Sequence, residues 1–495
     1  MFRLLEIQLG RHEVLADLRL NFVNGEEIKK GPYTTLVIGQ NGSGKSHLLR
    51  AIIEIFRELE NISKTGKVQN LIRGGFSVKF QMDKDIFEVN TIAGQGIAKH
   101  VSQRIYLKNK SPIQSSDIRL PKKVIANSIM LNDRFPVVKE GVSDIYRYRG
   151  IRRTPSVAGT RSHLRKTVFD ILGQWDSREM VGRIKEVLGF LGYADTLEIS
   201  FYPRYKKKFF YGNLTLADFQ KSLDEWVQIT DTKGVPFWLS EYKRISKDID
   251  LMSNLVKLLN KISSRLKKYD GSRAEFFVYD VITEELTTNE LKNLEIIYKL
   301  NILSEPSLIL KKNKSEFPIG ESSSGEYHIL VSMIGIMTEI SPQSLVLIDE
   351  PEISLHPNWQ MRYVHFLKEM MRGFQDCHFL IATHSHFLVS DLAKESSALI
   401  HLYLTDKIRG ELLQWNTFGW SAEQVLFDVF HVPTTRNYFV ADRVGAILDL
   451  VAKPERDEDE IRAKVRELRE SDLRNLPAED PLKDVVEKLF QKYAP

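Results

Sequence analysis

Cysteine is almost missing. Cys377 stands alone in a chain of 495 residues, so no intramolecular disulfide and no cysteine-built zinc site can form. Long apolar runs are missing too: none approaches the roughly 20 residues of a membrane-spanning helix, and mean hydropathy is -0.25. This argues against a channel or a self-contained transporter. The opening residues, MFRLLEIQLG, lack the basic, apolar and small-residue segments of a secretory signal. These absences predict a cytoplasmic protein with no membrane. Charge of one sign is scarce as well, because 70 Lys and Arg against 65 Asp and Glu leave only +5. Such a balance permits nucleic-acid contact without demanding it. There is no internal repeat, no low-complexity tract and no long heptad run.

What is present is periodicity of two kinds. Over residues 1–100, short alternating or β-branched runs at 3–9, 16–22, 34–38, 76–81 and 86–92 predict strands. One helix interrupts them from about Lys45 to Leu59, with Leu48, Leu49, Ile52, Ile53, Ile55 and Phe56 on its apolar face. From 161 to 300 the period becomes helical, with helices predicted over 170–191, 216–229, 247–268 and 284–300. Strand and helix then alternate from 329 to 404, the pattern of a parallel sheet covered by helices. The organisation expected is an α/β P-loop head with a mixed sheet: one lobe over 1–150, a helical insertion over 151–305, a second lobe over 306–405 and a helical region over 406–495.

The strand at 34–38 runs into Gly39-Gln40-Asn41-Gly42-Ser43-Gly44-Lys45-Ser46, with His47 next, and the helix follows at once. This satisfies G-x-x-x-x-G-K-[ST] at every fixed position. Glycines let successive N–H groups curl inward and the helix start adds positive potential, which makes a nest for a triphosphate. Lys45 is expected on the β- and γ-phosphates of ATP, and Ser46 on Mg2+. A second site is Leu345-Val346-Leu347-Ile348-Asp349-Glu350-Pro351, a core strand with acids only at its tip. Asp349 is the expected magnesium ligand and Glu350 the group that positions or activates water. Between them in sequence, Ser322-Ser323-Ser324-Gly325-Glu326 opens a helix with small residues and hydroxyls, an arrangement suited to phosphate. Finally, Thr383-His384-Ser385-His386 follows an apolar strand, and His384 is expected to sense a γ-phosphate. His386 carries no assignment.

In chain order these elements resemble the ATP-binding-cassette ATPases, in the soluble branch that includes RecF, SMC-like repair ATPases and OLD-type proteins. Residues 39–46 are similar to the Walker A motif, 322–326 to the signature, 344–350 to Walker B and His384 to the switch histidine, with Ser354-Leu355-His356-Pro357 similar to the D-loop. The resemblance implies that Ser323, Gly325 and Glu326 complete the ATP site of an opposite subunit, hence a homo-dimer or higher homo-oligomer. Ser322 and Ser324 stand where leucine and the first glycine usually stand. More narrowly, Asn132-Asp133-Arg134-Phe135-Pro136, Tyr148-Arg149-Gly150, Phe418-Gly419-Trp420-Ser421 and Thr435-Arg436-Asn437 resemble the PtuA family. This is the ATPase of Septu antiphage systems, found also beside some retrons, and it implies a companion HNH nuclease, PtuB, and contact with nucleic acid or a retron RNA/DNA.

No Toprim acids, HNH-like histidine cluster or anticodon-nuclease set follows the switch histidine, so nuclease activity is expected from a partner docked after Asp406, in part on the aromatics between 417 and 438. The acid-free stretch 146–166, with Arg147, Arg149, Arg152, Arg153, Arg161, Arg165 and Lys166, is read two ways: contact with phosphates, or a solvated loop. Lys206-Lys207-Lys208 is a weaker basic patch. Two functions stand at this point, a defence ATPase that controls a nuclease and a RecF/SMC-like DNA-repair or DNA-end-binding ATPase.

Overall fold

The computed structural model describes residues 1–25, 31–93, 101–138, 141–154, 157–174, 177–230, 239–268, 275–283, 287–313, 315–374, 376–390, 392–393, 395–414, 417, 419–430, 438–453, 457–470 and 481–493. They form two compact units, Met1–Phe418 and Gly419–Pro495.

All six residues of the strand Tyr33–Ile38 are buried, as a β-branched run apolar on both faces requires. It lies inside a seven-stranded sheet in the order Ile408–Leu413, Ser397–Leu404, Tyr33–Ile38, His378–Ala382, Leu345–Asp349, Val124–Ser128, Tyr146–Gly150. Only the first pairing is antiparallel. Val37 pairs with Ala382, Ala382 with Asp349, and Asp349 with Ser128. Four parallel strands therefore end level, and the loops that leave them share one edge, where such sheets bind ligands.

The helix that follows the first loop runs Lys45–Thr65, longer than its periodicity suggests, and stops at Gly66 in the left-handed region. It joins one apolar core with the seven-stranded sheet and a second, antiparallel sheet ordered Arg19–Asn21, Phe2–Leu9, Phe76–Met82, Asp85–Ala93, Val101–Lys108, Ser111–Pro112. Phe56 on the helix meets Phe2 and Phe80 on that sheet edge-on, with ring centroids 5.7 and 5.5 Å apart. Buried acids on the helix are matched by donors: Glu58 accepts the backbone N–H groups of Gln69, Asn70 and Leu71. Truncating Phe56 to alanine would cost about 3–5 kcal/mol. The helix start is thus held from both sides.

The inserted region differs from its expectation. Helices are present at Thr160–Gly173, Arg178–Phe190, Leu216–Thr230, Leu239–Ile245, Ile249–Ser263 and Thr288–Lys299. They accompany a five-stranded antiparallel sheet ordered Lys267–Lys268, Glu275–Asp280, Leu197–Phe201, Ser307–Lys312, Ser315–Pro318. Glu198 and Ser200 interrupt one of these strands and Glu275 and Asp280 bound another, so no wholly apolar run marks them between the amphipathic helices. This sheet also straddles the expected boundary at 305, and the boundary at 405 falls inside the antiparallel pair Ser397–Leu404 and Ile408–Leu413.

The described part of the basic stretch is not a solvated loop. Tyr146–Gly150 is the edge strand of the seven-stranded sheet. Arg149 is buried and paired to Asp170 and Glu339, and Arg152 to Asp133. In the second patch Phe209 and Phe210 are buried while Tyr211 is exposed. Of the docking segment expected at 417–438, Phe418 and residues 431–437, with Thr435, Arg436 and Asn437, lie outside the described residues; Val425 and Val429 are buried. The second unit contains helices Tyr438–Ala452, Glu458–Glu470 and Pro481–Tyr493, sharing a core of Val444, Ile447, Ile461, Val465, Leu468, Val486, Leu489 and Tyr493. Among the described residues no helix is long and apolar enough to cross a membrane.

Candidate nucleotide-binding site

Gly39 and Gly44 bend the loop where no side chain fits. Their φ angles are 152° and 92°; a Cβ at Gly39 would strike the Leu402 carbonyl oxygen, and one at Gly44 would lie 2.8 Å from Ile408 and Leu15. Gln40, Asn41 and Gly42 are exposed, whereas Ser43 and Lys45 are buried. The Lys45 ammonium donates to the carbonyls of Gly39 and Gln40 at 3.0 and 3.2 Å, so the loop is closed on its own lysine. Burial pulls the Lys45 pKa down to about 8 against the opposing fields of Glu350, Asp349 and Glu352. The helix behind it has Gly44 at its N-cap, no side-chain cap and no acid in its first turn, which leaves its first N–H groups directed at the loop.

Ser46 Oγ donates to Asp349 Oδ1 at 3.1 Å, joining the first helical turn to a strand tip. Asp349 is fully buried, and its Oδ2 has no hydrogen-bond partner among the described residues. Burial raises its pKa to about 7, with Glu350 and Asp133 adding to the rise and the Ser46 hydroxyl and Lys45 opposing it. Glu350 behaves oppositely. Its backbone is left-handed, with φ 49°, and its N–H donates to the Ala382 carbonyl at 2.9 Å. His384 Nε2 lies 3.4 Å from its Oε1, and this partner holds the Glu350 carboxyl below its ordinary pKa despite partial burial. Adjacent acids on one strand thus present a buried, proton-prone oxygen pair and an ionised, half-exposed one. His47, in the first helical turn, is held below the usual imidazole range by burial, then by Arg134 and Arg50.

The structure brings Lys45, Ser46, Asp349, Glu350 and His384 together. Ser323, Gly325 and Glu326 make their contacts elsewhere in the unit. Ser323 caps the helix Ser324–Met337 in a reciprocal box: its hydroxyl accepts the Glu326 N–H at 3.3 Å, and Glu326 accepts the Ser323 N–H at 3.0 Å. Lys312 pairs with Glu326 at 2.8 Å. A Cβ on Gly325 would sit 2.5 Å from the Ser354 carbonyl oxygen, so the signature-like turn packs directly on the segment similar to a D-loop.

Sequence reasoning assigns no role to Glu352, Gln360 or Asp133, although Asp133 stands in a segment that carries the narrower resemblance. Glu352 accepts the His384 N–H at 2.6 Å and fixes that loop. Gln360 accepts from the Ser385 hydroxyl at 2.6 Å. Asp133 is buried at the end of its strand's loop, where Arg152 Nε at 3.0 Å and the Tyr148 hydroxyl at 2.7 Å donate to it. A third acid two positions past Glu350 was the available signal for the first; the others are contacts distant in sequence.

Residues 240–390 match the family model "AAA domain, putative AbiEii toxin, Type IV TA system". The chain is 22% identical to "Retron Vc95 probable ATPase" of Vibrio cholerae serotype O1 biovar El Tor over 412 residues, covering 77% of this chain and 71% of that protein. It is 25% identical to "Septu protein PtuA" of Bacillus thuringiensis over 191 residues, 32% of this chain and 47% of that one. Among solved structures, the SMC head domain from Thermotoga maritima aligns over 83% of this chain and 100% of that chain, with 11% identity and a TM-score of 0.38. The parallel sheet, phosphate loop and acid-tipped strand define a P-loop ATPase head. In sequence the chain is similar to a retron ATPase and to a Septu PtuA.

Proposed function

We propose that this chain binds ATP with magnesium at the loop 39–46 and hydrolyses it as the ATPase subunit of a cytoplasmic antiphage defence complex, whose nuclease is a separate HNH chain of the PtuB kind. The observation that carries the ATP reading is the meeting of Lys45, the Ser46–Asp349 pair and the Glu350–His384 pair at the level tips of parallel strands. The donor set fits magnesium: a hydroxyl and a carboxylate are hard oxygen ligands, and the partnerless buried Oδ2 of Asp349 suits a water of the ion's shell. When bound, the ion supplies charge neutralisation on the phosphate oxygens. Lys45 exchanges two carbonyls for phosphate oxygens, while Gly39, Asn41, Gly42, Ser43, Gly44 and the N–H groups of Ser46 and His47 line the anion's path. Glu350, kept ionised by His384, orients the attacking water. Ser323, Gly325 and Glu326, packed on Ser354 and Lys312, are offered to the site of a second subunit, which makes the working form at least a homo-dimer.

The defence assignment rests on the two curated relatives, one named for a retron and one for Septu. They also motivate a retron RNA/DNA or other nucleic acid as a further partner. Lys45→Ala should abolish ATP binding in equilibrium titration; unaltered affinity would overturn the site. Purification from the native operon should yield an HNH chain, and nucleic-acid cleavage should require it. Cleavage by the single purified chain with magnesium or manganese, unaffected by Glu350→Gln, would overturn the division of labour.

A further inference from the structure

Beside the edge strand Tyr146–Gly150 lies a cavity of about 730 Å3 that no residue of the phosphate loop lines. Its size is that of a small-ligand site, roughly 300–1,000 Å3. Arg147, Arg152, Arg165 and Lys166 line it, with Glu339 the acid among its lining residues and His163 the imidazole. His163, Arg165 and Lys166 come from the opening turns of the helix Thr160–Gly173, which has no side-chain cap and no acid in its first turn. That helix start alone would mean little. The second observation is His163: only 6% exposed, its Nδ1 has no hydrogen-bond partner among the described residues. Burial, then the fields of Arg149, Lys166 and His328, push its pKa down to about 3. In the tautomer that carries the proton on Nδ1, this neutral imidazole can donate a hydrogen bond to an oxygen in the cavity.

The cations are pre-positioned rather than loose. Arg147 is held by Glu339 at 3.3 Å and by the Ser143 and Tyr146 carbonyls. Arg152 is held by Asp133, Arg165 by the Tyr298 hydroxyl at 3.2 Å and Glu305 at 3.6 Å, and Lys166 by the Tyr148 carbonyl at 3.5 Å. Asp133 and Glu305 hold their arginines from outside the cavity lining, so the wall itself carries four cations against one acid. Fixed guanidinium groups lose little conformational freedom when an anion arrives, and they match phosphate geometry.

We infer that this cavity binds a phosphate-bearing ligand of nucleotide size, either a free nucleoside monophosphate or the 5′-phosphorylated end of an oligonucleotide. The two sources share a phosphate monoester, and the test separates them. A 3′-labelled, 5′-phosphorylated tetrathymidylate is titrated by fluorescence anisotropy into the full-length Lys45→Ala chain, with its 5′-hydroxyl counterpart and unlabelled thymidine 5′-monophosphate in parallel. Binding should need the phosphate and weaken at least tenfold in Lys45→Ala, Arg165→Glu, Lys166→Glu. The Arg165→Glu, Lys166→Glu pair placed in the otherwise unaltered chain should keep its ATP affinity. Displacement of the tetranucleotide by the monophosphate identifies a free nucleotide site; binding of the tetranucleotide without such displacement identifies a strand end. In the unaltered chain, acetylation of Lys166 read by peptide mass spectrometry should slow at least threefold with saturating probe, a result independent of any substitution. Equal binding of the 5′-hydroxyl strand, no phosphate-dependent binding, or unchanged Lys166 acetylation overturns the inference.

Discussion

Two helices of this chain begin at loops rich in serine and glycine, yet their first turns are built in opposite ways. The helix Lys45–Thr65 starts at a left-handed glycine with no side-chain cap and no acid in its first turn. The helix Ser324–Met337 starts at Ser323 with a complete capping box, and its Glu326 is tied to Lys312. In the first, no side chain caps the opening N–H groups, so an anion gains the full benefit of the helix start. In the second, a carboxylate already stands there, and a phosphate must either displace it or meet Ser323 after its hydrogen bonds rearrange. Small residues before a helix therefore do not make a phosphate nest by themselves. What decides is whether a nearby side chain has already occupied the donors.

If chemistry belongs to the first helix's side, the largest effect follows from Glu350. Glu350→Gln should leave ATP affinity within a few-fold and lower single-turnover hydrolysis by about 10²–10⁴-fold, the usual worth of a positioned base. The side chain keeps its volume and its backbone bond to Ala382, so the loss reads the carboxylate alone. Hydrolysis within about tenfold of the unaltered chain would move the water-positioning role elsewhere.

Asp349 gives the next effect, and its sign is unusual for an acid. Its folded pKa is raised to about 7 from 3.8, so between these values the folded state holds a proton that the unfolded state has released. Stability therefore falls as pH rises through that window and is lowest above 7. Asp349→Asn should raise the stability of the nucleotide-free chain at pH 8 by on the order of 2 kcal/mol and have little effect at pH 4. It should also remove magnesium-dependent hydrolysis. Urea titrations at both pH values read the difference, and an equal effect at each would mean that Asp349 is not held as the burial of its carboxyl requires.

The first helix start was legible because its chemistry is local. Residues 39–46 carry the loop and its glycines, the following residues carry the helix, and the acids at 349 and 350 are marked by a run that is otherwise wholly apolar. The second was legible only in part: Ser323 and Glu326 stand three apart, the spacing of a capping box, but the Lys312 pairing and the packing of Gly325 on Ser354 are tertiary contacts. The same division runs through the fold. The parallel core announced itself through buried apolar runs such as 345–348 and the regular alternation of strand and helix. The antiparallel sheet of the inserted region did not, since Leu197–Phe201 and Glu275–Asp280 carry polar residues within or at their ends and pair across some 75 residues dominated by helix. Arg149 looked like a solvent or phosphate contact in an acid-free run, because Asp170 and Glu339, which neutralise it, arrive from other elements.

The smallest effect sharpens the comparison most. Ser323→Ala removes the hydroxyl that accepts the Glu326 N–H, which should cost about 1 kcal/mol of stability, the usual worth of a helix cap. Lys312 and the Ser323 N–H still hold Glu326, so the loss should not grow beyond that. Ser323→Asp supplies another capping oxygen but competes with Glu326 and adds negative charge. It should recover part of the lost stability while repelling a phosphate. If the hydroxyl serves only as a cap, hydrolysis should follow stability, falling with alanine and recovering with aspartate. If it completes the site of an opposite subunit, both variants should lose hydrolysis, and aspartate the more completely, while ATP affinity at low protein concentration stays that of the unaltered chain. Turnover measured against protein concentration, with a denaturation midpoint for each variant, separates the two. A fall in ATP affinity after Ser323→Ala as large as that after Lys45→Ala would place both helix starts at one phosphate and end the distinction drawn between them.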